Sequence, residues 1–145
     1  MSASTRIEEL VESDEKSCVA LWHEAGLTRP WNNPSADFQR ALKGPSSTIL
    51  GIREGGELIA CVMVGHDGHR GWLYYLAVKE AQRRQGIAKE LVDAATVWFL
   101  ERDIVKMQLM VRSENTDALG FYDQLGFETD DVVVRSKRIA EFPND

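Results

Sequence analysis

A chain of 145 residues with 43% hydrophobic residues is long enough to bury one core without metal or disulfide staples, and reads as one domain over residues 1–145. Its net charge of −6 argues against general nucleic-acid binding, and no apolar run approaches a bilayer span. No apolar signal segment opens the sequence, so a cytoplasmic protein with no membrane partner is expected.

Taken in order, Thr5 to Val11 reads as a strand, with Ser13 and Asp14 as candidate helix caps. Cys18, Leu21, Trp22 and Ala25 then fall at i, i+3, i+4 and i+7, which marks a helix stopped by Gly26. Cys18 and Cys61, the two cysteines, both lie in apolar-periodic segments and read as small core residues. The stretch Leu27-Thr28-Arg29-Pro30-Trp31-Asn32-Asn33-Pro34 cannot continue a helix. Asn33 before Pro34 suits a cap and first turn, predicting a second helix over Pro34 to Lys43 that ends at Gly44-Pro45.

Thr48 to Arg53 and Leu58 to His66 read as strands joined at Gly55-Gly56, and Asp67-Gly68 is a turn before a strand beginning near Gly71. That strand holds Leu73-Tyr74-Tyr75-Leu76-Ala77-Val78 and leads through a basic turn into a helix from Ile87 to Leu100, whose Ile87, Leu91, Ala95 and Trp98 share one face. Val105 to Arg112 alternates and should lie parallel to the strand before that helix. Asp117 to Leu125 reads as a short helix, and Phe127 to Ile139 as a closing strand.

The basic turn, Gln82-Arg83-Arg84-Gln85-Gly86-Ile87-Ala88, carries no acidic residue in an acidic protein. Helix openings leave N–H groups without partners and carry partial positive charge, so an anion is their natural ligand. Gly86 lets that ligand approach the backbone, while Arg83, Arg84 and Lys89 add charge. Neither common nucleotide motif, G-x-G-x-x-G or G-x-x-x-x-G-K-[ST], is present. Arg83-x-x-Gly86-x-Ala88 resembles the pyrophosphate-binding signature of the GCN5-related N-acetyltransferases, the GNAT superfamily. Asn115-x-x-Ala118-x-x-Phe121-Tyr122-x-x-Leu125-Gly126-Phe127 resembles the same family's later motif. The Arg-Pro-Trp-Asn loop, the Gly-His-Asp-Gly-His-Arg-Gly-Trp hairpin and Tyr-Tyr-Leu-Ala-Val further resemble the bacterial YpeA group within it.

This resemblance covers nearly the whole chain and implies the GNAT fold: an α/β (α+β) arrangement with a mixed, mostly antiparallel sheet, splayed central parallel strands and flanking helices. It implies acetyl-CoA as cosubstrate, held at Leu76, Ala77 and Val78 along the pantetheine, at Arg83, Arg84, Gln85, Gly86, Ile87, Ala88 and Lys89 around the pyrophosphate, and at Asn115. It implies transfer of the acetyl group directly to a primary amine of a small molecule or a protein.

Such a transfer needs a base for an ammonium whose pKa is about 10.4. It also needs an N–H donor for the oxyanion, which the backbone at Leu76 to Val78 can offer, and an acid for the departing sulfur. Tyr122 is the candidate acid, though it also reads as a packed tyrosine. Many family members carry a glutamate early in the fourth strand, whereas this chain has Trp72 to Tyr75 there. Asp67 and His69 are the substitute bases, with Asp67 also readable as a plain turn residue and imidazole the better matched in its ordinary pKa. Trp31, Asn32, Tyr74 and Tyr75 are the acceptor-side candidates, the aromatics reading equally as packing. His66 and His69 lack a third ligand at a familiar spacing, so no metal is expected. An acyl-CoA-binding sensor without turnover is the alternative reading. The sequence names neither the acceptor nor the oligomeric state, with a homodimer left open.

Overall fold

Four antiparallel strands and one short parallel strand form the sheet, in the order β1-β2-β3-β4-β5. The computed structural model describes residues 6–141. Its strands are β1 (Ile7–Glu9), β2 (Ser47–Glu54), β3 (Glu57–His66), β4 (Gly71–Val78) and β5 (Met107–Gln108), and its helices are α1 (Glu15–Glu24), α2 (Pro34–Lys43), α3 (Ile87–Leu100) and α4 (Thr116–Gln124). The chain parts into two compact units, the first ending at Leu109 and the second beginning at Met110. The first unit holds the whole sheet and α1 to α3, and the second holds α4.

Alternation along the strands decides which face each helix covers. Ile49 of β2, Cys61 and Met63 of β3, and Tyr75 and Ala77 of β4 pack with Cys18, Leu21 and Trp22 of α1 and Phe38 and Ala41 of α2. The residues between them point the other way, toward α3, which buries Ile87, Leu91, Val92, Ala95, Trp98 and Phe99. Gly71 admits Phe99 to that face: a Cβ there would lie 2.5 Å from the ring. Fully burying one Leu, Ile or Phe is worth roughly 1.5–3 kcal/mol, so these two apolar layers supply most of the drive to fold.

Helix ends follow the local signals. Asn33 caps α2 by accepting the N–H of Ala36 at 3.1 Å, with Pro34 in the first turn, and Gly44 ends the helix. Gly26, at φ +73°, stops the run after α1, and Gly55 and Gly56, at φ +59° and +82°, make the turn between β2 and β3. The loop after α1 is braced by Arg29, whose Nη1 donates to the carbonyls of Gly26 and Thr28, both at 2.9 Å.

Three expectations change. Asp14 does not cap α1 with its side chain. Its carboxylate instead takes Arg53 Nη2 at 2.5 Å and the N–H of Val11 at 2.8 Å, tying a short 3-10 turn to β2. Among the described residues, the strand expected over Val105 to Arg112 is reduced to Met107–Gln108. Residues 128–141 form no helix or strand, and Val132, Val133, Val134 and Ile139 are exposed. Alternation and β-propensity report which faces a strand would show, but pairing requires a partner backbone, which a single sequence does not name. The two cysteines are buried as expected, with their Sγ atoms 3.8 Å apart, and the hydrogen bond to Cys61 together with burial pushes the Cys18 thiol up.

Asp14 yields a testable consequence. Burial alone would raise its carboxyl, yet the bonds from Arg53 and Val11 outweigh that and hold it below the ordinary carboxylate range. A depressed folded-state pKa contributes stability above the unfolded value, near about 3.9, and loses it as pH falls through the folded value. Asp14→Asn is expected to cost about 1–3 kcal/mol at pH 7 in urea unfolding, with the gap to wild type closing below about pH 4. A gap independent of pH contradicts this.

Candidate active site

The sheet opens where β4 and β5 part. They pair in parallel at Gly71↔Met107 and Trp72↔Gln108, and no further pair is formed between them among the described residues. From Tyr74 to Val78, β4 keeps β3 as its ladder neighbour and has no residue pair with β5 among the described residues. There the register breaks: Met63 faces Tyr74 and Cys61 faces Ala77, so Tyr75 and Leu76 share the single residue Val62. Two residues opposite one make a bulge, which leaves backbone polar groups without ladder partners beside the gap.

Tyr75 carries the bulge at φ +53°, a left-handed conformation that a bulky side chain rarely takes. Such a residue costs of order 1–3 kcal/mol. Two contacts offset it. Its ring stacks on Trp22 of α1, centroids 3.9 Å apart and planes 12° from parallel, and its hydroxyl donates to Asp37 Oδ2 of α2 at 2.7 Å. An aromatic pair adds about 0.5–1.5 kcal/mol beyond burial and a hydrogen bond to a charged group about 1.5–3, enough to cover the strain. Burial first, then the bond to Asp37, pushes the Tyr75 phenol well up.

The bulge places Leu76, Ala77 and Val78 along the open edge. Ala77 is buried in the core under α1, so only its backbone faces the gap. Beyond Val78 the chain makes a 3-10 turn, Glu80–Gln82, and reaches the basic turn. Arg83 Nε donates to the Val78 carbonyl at 3.2 Å, folding its guanidinium back over the strand end. Arg84 sits at φ +65° and is exposed, with no ion pair among the described residues. Lys89 pairs with Asp93 at 2.7 Å, and Glu90, the acidic residue of this first turn, is taken up by a two-pronged contact from Arg6 at 2.7 and 2.9 Å. The acid is thus matched by its own cation, and Arg83 and Arg84 keep the helix mouth positive.

Gly86 opens α3 at φ +78° with no side-chain cap. The helices α2 and α4, by contrast, are both capped by asparagine. The first bond back into α3 runs from the N–H of Glu90 to the Gly86 carbonyl, so the N–H groups of Ile87, Ala88 and Lys89 face outward from the first turn. A Cβ on Gly86 would meet nothing within 4 Å. Uncapped donors, open space and two arginines fit a diphosphate.

The base candidates Asp67 and His69 lie on the turn that leads into β4 at Gly71, Tyr74 lies on β4 itself, and Trp31 and Asn32 lie on the loop between α1 and α2. Asp67 Oδ1 accepts the N–H of Arg70 at 2.8 Å and of His69 at 2.9 Å, and these bonds hold its carboxyl below the usual range. Asp67 is thus built into the turn as an ionised acceptor, a weak proton acceptor near neutrality. The His69 side chain is exposed on the same turn. Tyr74 is 42% exposed, stacks with Trp72 at 6.4 Å, and has its phenol raised by burial and by the charge of Asp67. Trp31 is 52% exposed and Asn32 is exposed, on the loop that Arg29 braces.

In the second unit, Asn115 Oδ1 accepts the N–H of Ala118 at 3.1 Å, so its carbonyl end is spent on capping α4 and its amide NH₂ remains to donate elsewhere. Tyr122 lies edge-on to Phe121 and Phe127, at 5.0 and 5.3 Å. Burial pushes its phenol up to about 12, so it holds its proton throughout the physiological range. Among the described residues, no three His, Cys, Asp or Glu side chains are grouped to hold a metal, and no helix is long and apolar enough to cross a membrane.

Sequence reasoning missed the bulge and the Tyr75–Asp37 bond. A glycine or asparagine would have flagged a left-handed residue, whereas a tyrosine amid apolar strand formers does not.

A family profile described as Acetyltransferase (GNAT) family matches residues 7–127. An acetyltransferase of Pectobacterium atrosepticum is 37% identical over 130 residues, covering 90% of this chain and 92% of that protein. Among solved structures, the AAC(6')-Iy enzyme in complex with a CoA bisubstrate analogue aligns with a TM-score of 0.78 at 20% identity, over 91% of this chain and 97% of that one. A ribosomal-protein-alanine N-acetyltransferase of Brucella melitensis aligns with a TM-score of 0.72 at 23% identity, over 92% and 98%. The chain belongs to the GNAT family of acetyltransferases, and its open parallel pair, bulged strand and glycine-headed helix form that fold. It is accordingly an acyltransferase.

One expected outcome concerns Gly86 alone. Because its surroundings are open, Gly86→Ala should cost only the left-handed backbone, about 1–2 kcal/mol by urea unfolding. A much larger loss would indicate that the glycine is packed rather than presented.

Proposed function

We propose that this protein is an acetyl-CoA-dependent N-acetyltransferase that moves the acetyl group directly to a primary amine of a small molecule or a protein. The observation that carries this is the continuous run from the bulge at Tyr75–Leu76 to the uncapped first turn at Gly86. It offers unpaired backbone groups at one end and a positive, open helix mouth at the other. Leu76, Ala77 and Val78 would line the pantetheine arm. Arg83 through Lys89 would hold the diphosphate, with Arg84 and the outward N–H groups contributing most, since Lys89 is engaged with Asp93. Asn115 would add an amide donor.

In this reading, an N–H of the bulge donates to the oxygen on which charge builds as the amine attacks, an interaction worth roughly 10²–10³-fold in rate. Tyr122, which burial keeps protonated through the physiological range, gives its proton to the departing sulfur. His69 draws the proton from the attacking ammonium through water, with Asp67 fixing the turn that carries it. Trp31, Asn32 and Tyr74 present an aromatic and polar rim to a cationic acceptor. The name of one neighbour specifies a ribosomal protein's alanine as the group acetylated, and another was solved with an analogue joining CoA to an acetylated neamine. Acetylation of an amine is the chemistry these share, which supports that acceptor class here.

Titration calorimetry with acetyl-CoA, followed by CoA release against amines, polyamines, amino acids and peptides, tests the proposal. Gly86→Glu should weaken the acetyl-CoA Kd by roughly tenfold or more, since it sets a carboxylate against the phosphates. Tyr122→Phe should lower kcat by roughly 10²-fold and leave that Kd unchanged. Binding without release across the panel would instead identify an acyl-CoA sensor, and no binding at all would refute both readings.

A further inference from the structure

We propose that Trp22, Asp37 and Tyr75 form a clamp that holds the β4 bulge in its left-handed conformation, making Asp37 and Tyr75 positioning residues for the thioester carbonyl. The inference rests on the reading of the bulge as the oxyanion donor.

Each part of the clamp comes from a different element. Trp22 of α1 covers one face of the Tyr75 ring at 3.9 Å, and Asp37 in the first turn of α2 receives its hydroxyl at 2.7 Å. Both helices are anchored independently of β4. Glu15 of α1 accepts hydrogen bonds from Ser35 and Gln39 of α2, which locks the two helices together. Asp37 N–H itself bonds to the Asn33 carbonyl inside the capped end of α2. The tyrosine is thus held at its ring and at its tip by a rigid pair of helices, while its backbone occupies a conformation it would leave if released.

The consequence for the strand follows from alternation. Tyr74 faces Met63, a residue of the α1–α2 face, so an extended Tyr75 would turn its ring toward α3. The clamp keeps Tyr75 on the same face as Tyr74 and Ala77. Leu76 is thereby displaced from the β3 ladder, with its backbone beside the gap left by β5. Without the hydroxyl bond, the stack alone opposes the strain, and the bulge can relax into the ladder. Neither residue needs to touch the acetyl group to affect it.

The test requires no acceptor. Acetyl-CoA is compared by calorimetry with S-ethyl-CoA, a thioether that lacks the carbonyl oxygen, and with CoA itself. Wild type should prefer acetyl-CoA over S-ethyl-CoA by roughly tenfold, the worth of one hydrogen bond. In Tyr75→Phe and Asp37→Ala that preference should fall to near one while the CoA Kd stays put, and Asp37→Asn, which keeps an oxygen acceptor, should retain most of it. A folded Tyr75→Phe with full preference overturns the clamp, as does a lowered Tm with the preference intact, which is what packing alone would give. Should Tyr75→Phe fail to fold, equal preference in Asp37→Ala and Asp37→Asn overturns it instead. Wild type that binds acetyl-CoA and S-ethyl-CoA equally removes the oxyanion role of the bulge and the clamp with it, whereas failure to bind any of the three removes the proposed function.

Discussion

The parting of β4 from β5 after two residue pairs is the constraint on which the rest of this molecule depends. A buried parallel strand ordinarily satisfies its backbone on both sides, and an interior strand that loses one neighbour exposes donors and acceptors that must find other partners. Here the loss is sustained because β3 continues along the other side and because α1, α2 and α3 cover the two faces of the sheet. The result is a rigid strand with one open polar edge, a form of backbone suited to reading an extended, amide-bearing ligand. The bulge sharpens this by releasing groups on a strand that is otherwise firmly held.

Electrostatics complete the arrangement at the strand's far end. The chain as a whole carries −6, yet the turn before α3 is locally positive because its acidic neighbour Glu90 is matched by Arg6. Gly86 leaves the helix uncapped while the structure spends asparagine side chains on α2 and α4. Capping an anion-binding helix with its own side chain would satisfy the very donors the ligand needs. The absence of a cap at α3 is consistent with the open space beside Gly86. In the proposed function α3 keeps these donors for the ligand, whereas the asparagine caps of α2 and α4 serve stability.

Much of this was legible in the residues. The helix over Pro34–Lys43 is announced by Asn33-Pro34 and closed by Gly44, local steric and hydrogen-bonding signals that tertiary context had no reason to override. The glycines at 26, 55, 56, 68 and 86 all take positive φ, as turns and helix boundaries would lead one to expect. The parallel relation of β5 to β4 followed from the intervening helix. What stayed hidden depends on partners distant in sequence. Asp14 reads as a cap until Arg53, 39 residues away, claims it. Tyr75 reads as one more apolar strand residue, because its conformation is imposed by Trp22 and Asp37 rather than by its own preference. The strands expected at Val105 to Arg112 and Phe127 to Ile139 depend on where a neighbouring backbone lies, and side-chain pattern carries no record of that.

In the proposed function the backbone from Leu76 to Lys89, rather than any single side chain, grips the donor. Amide chemical shifts on ¹⁵N-labelled protein titrated with acetyl-CoA test it most directly. The largest shifts are expected at Gly86, Ile87, Ala88 and Lys89, where N–H groups would meet phosphate oxygens, and at Leu76 to Val78 beside the gap, with Gly55, Gly56 and the β1–β2 edge unmoved. Saturable shifts centred away from both clusters, or none at either, would contradict it.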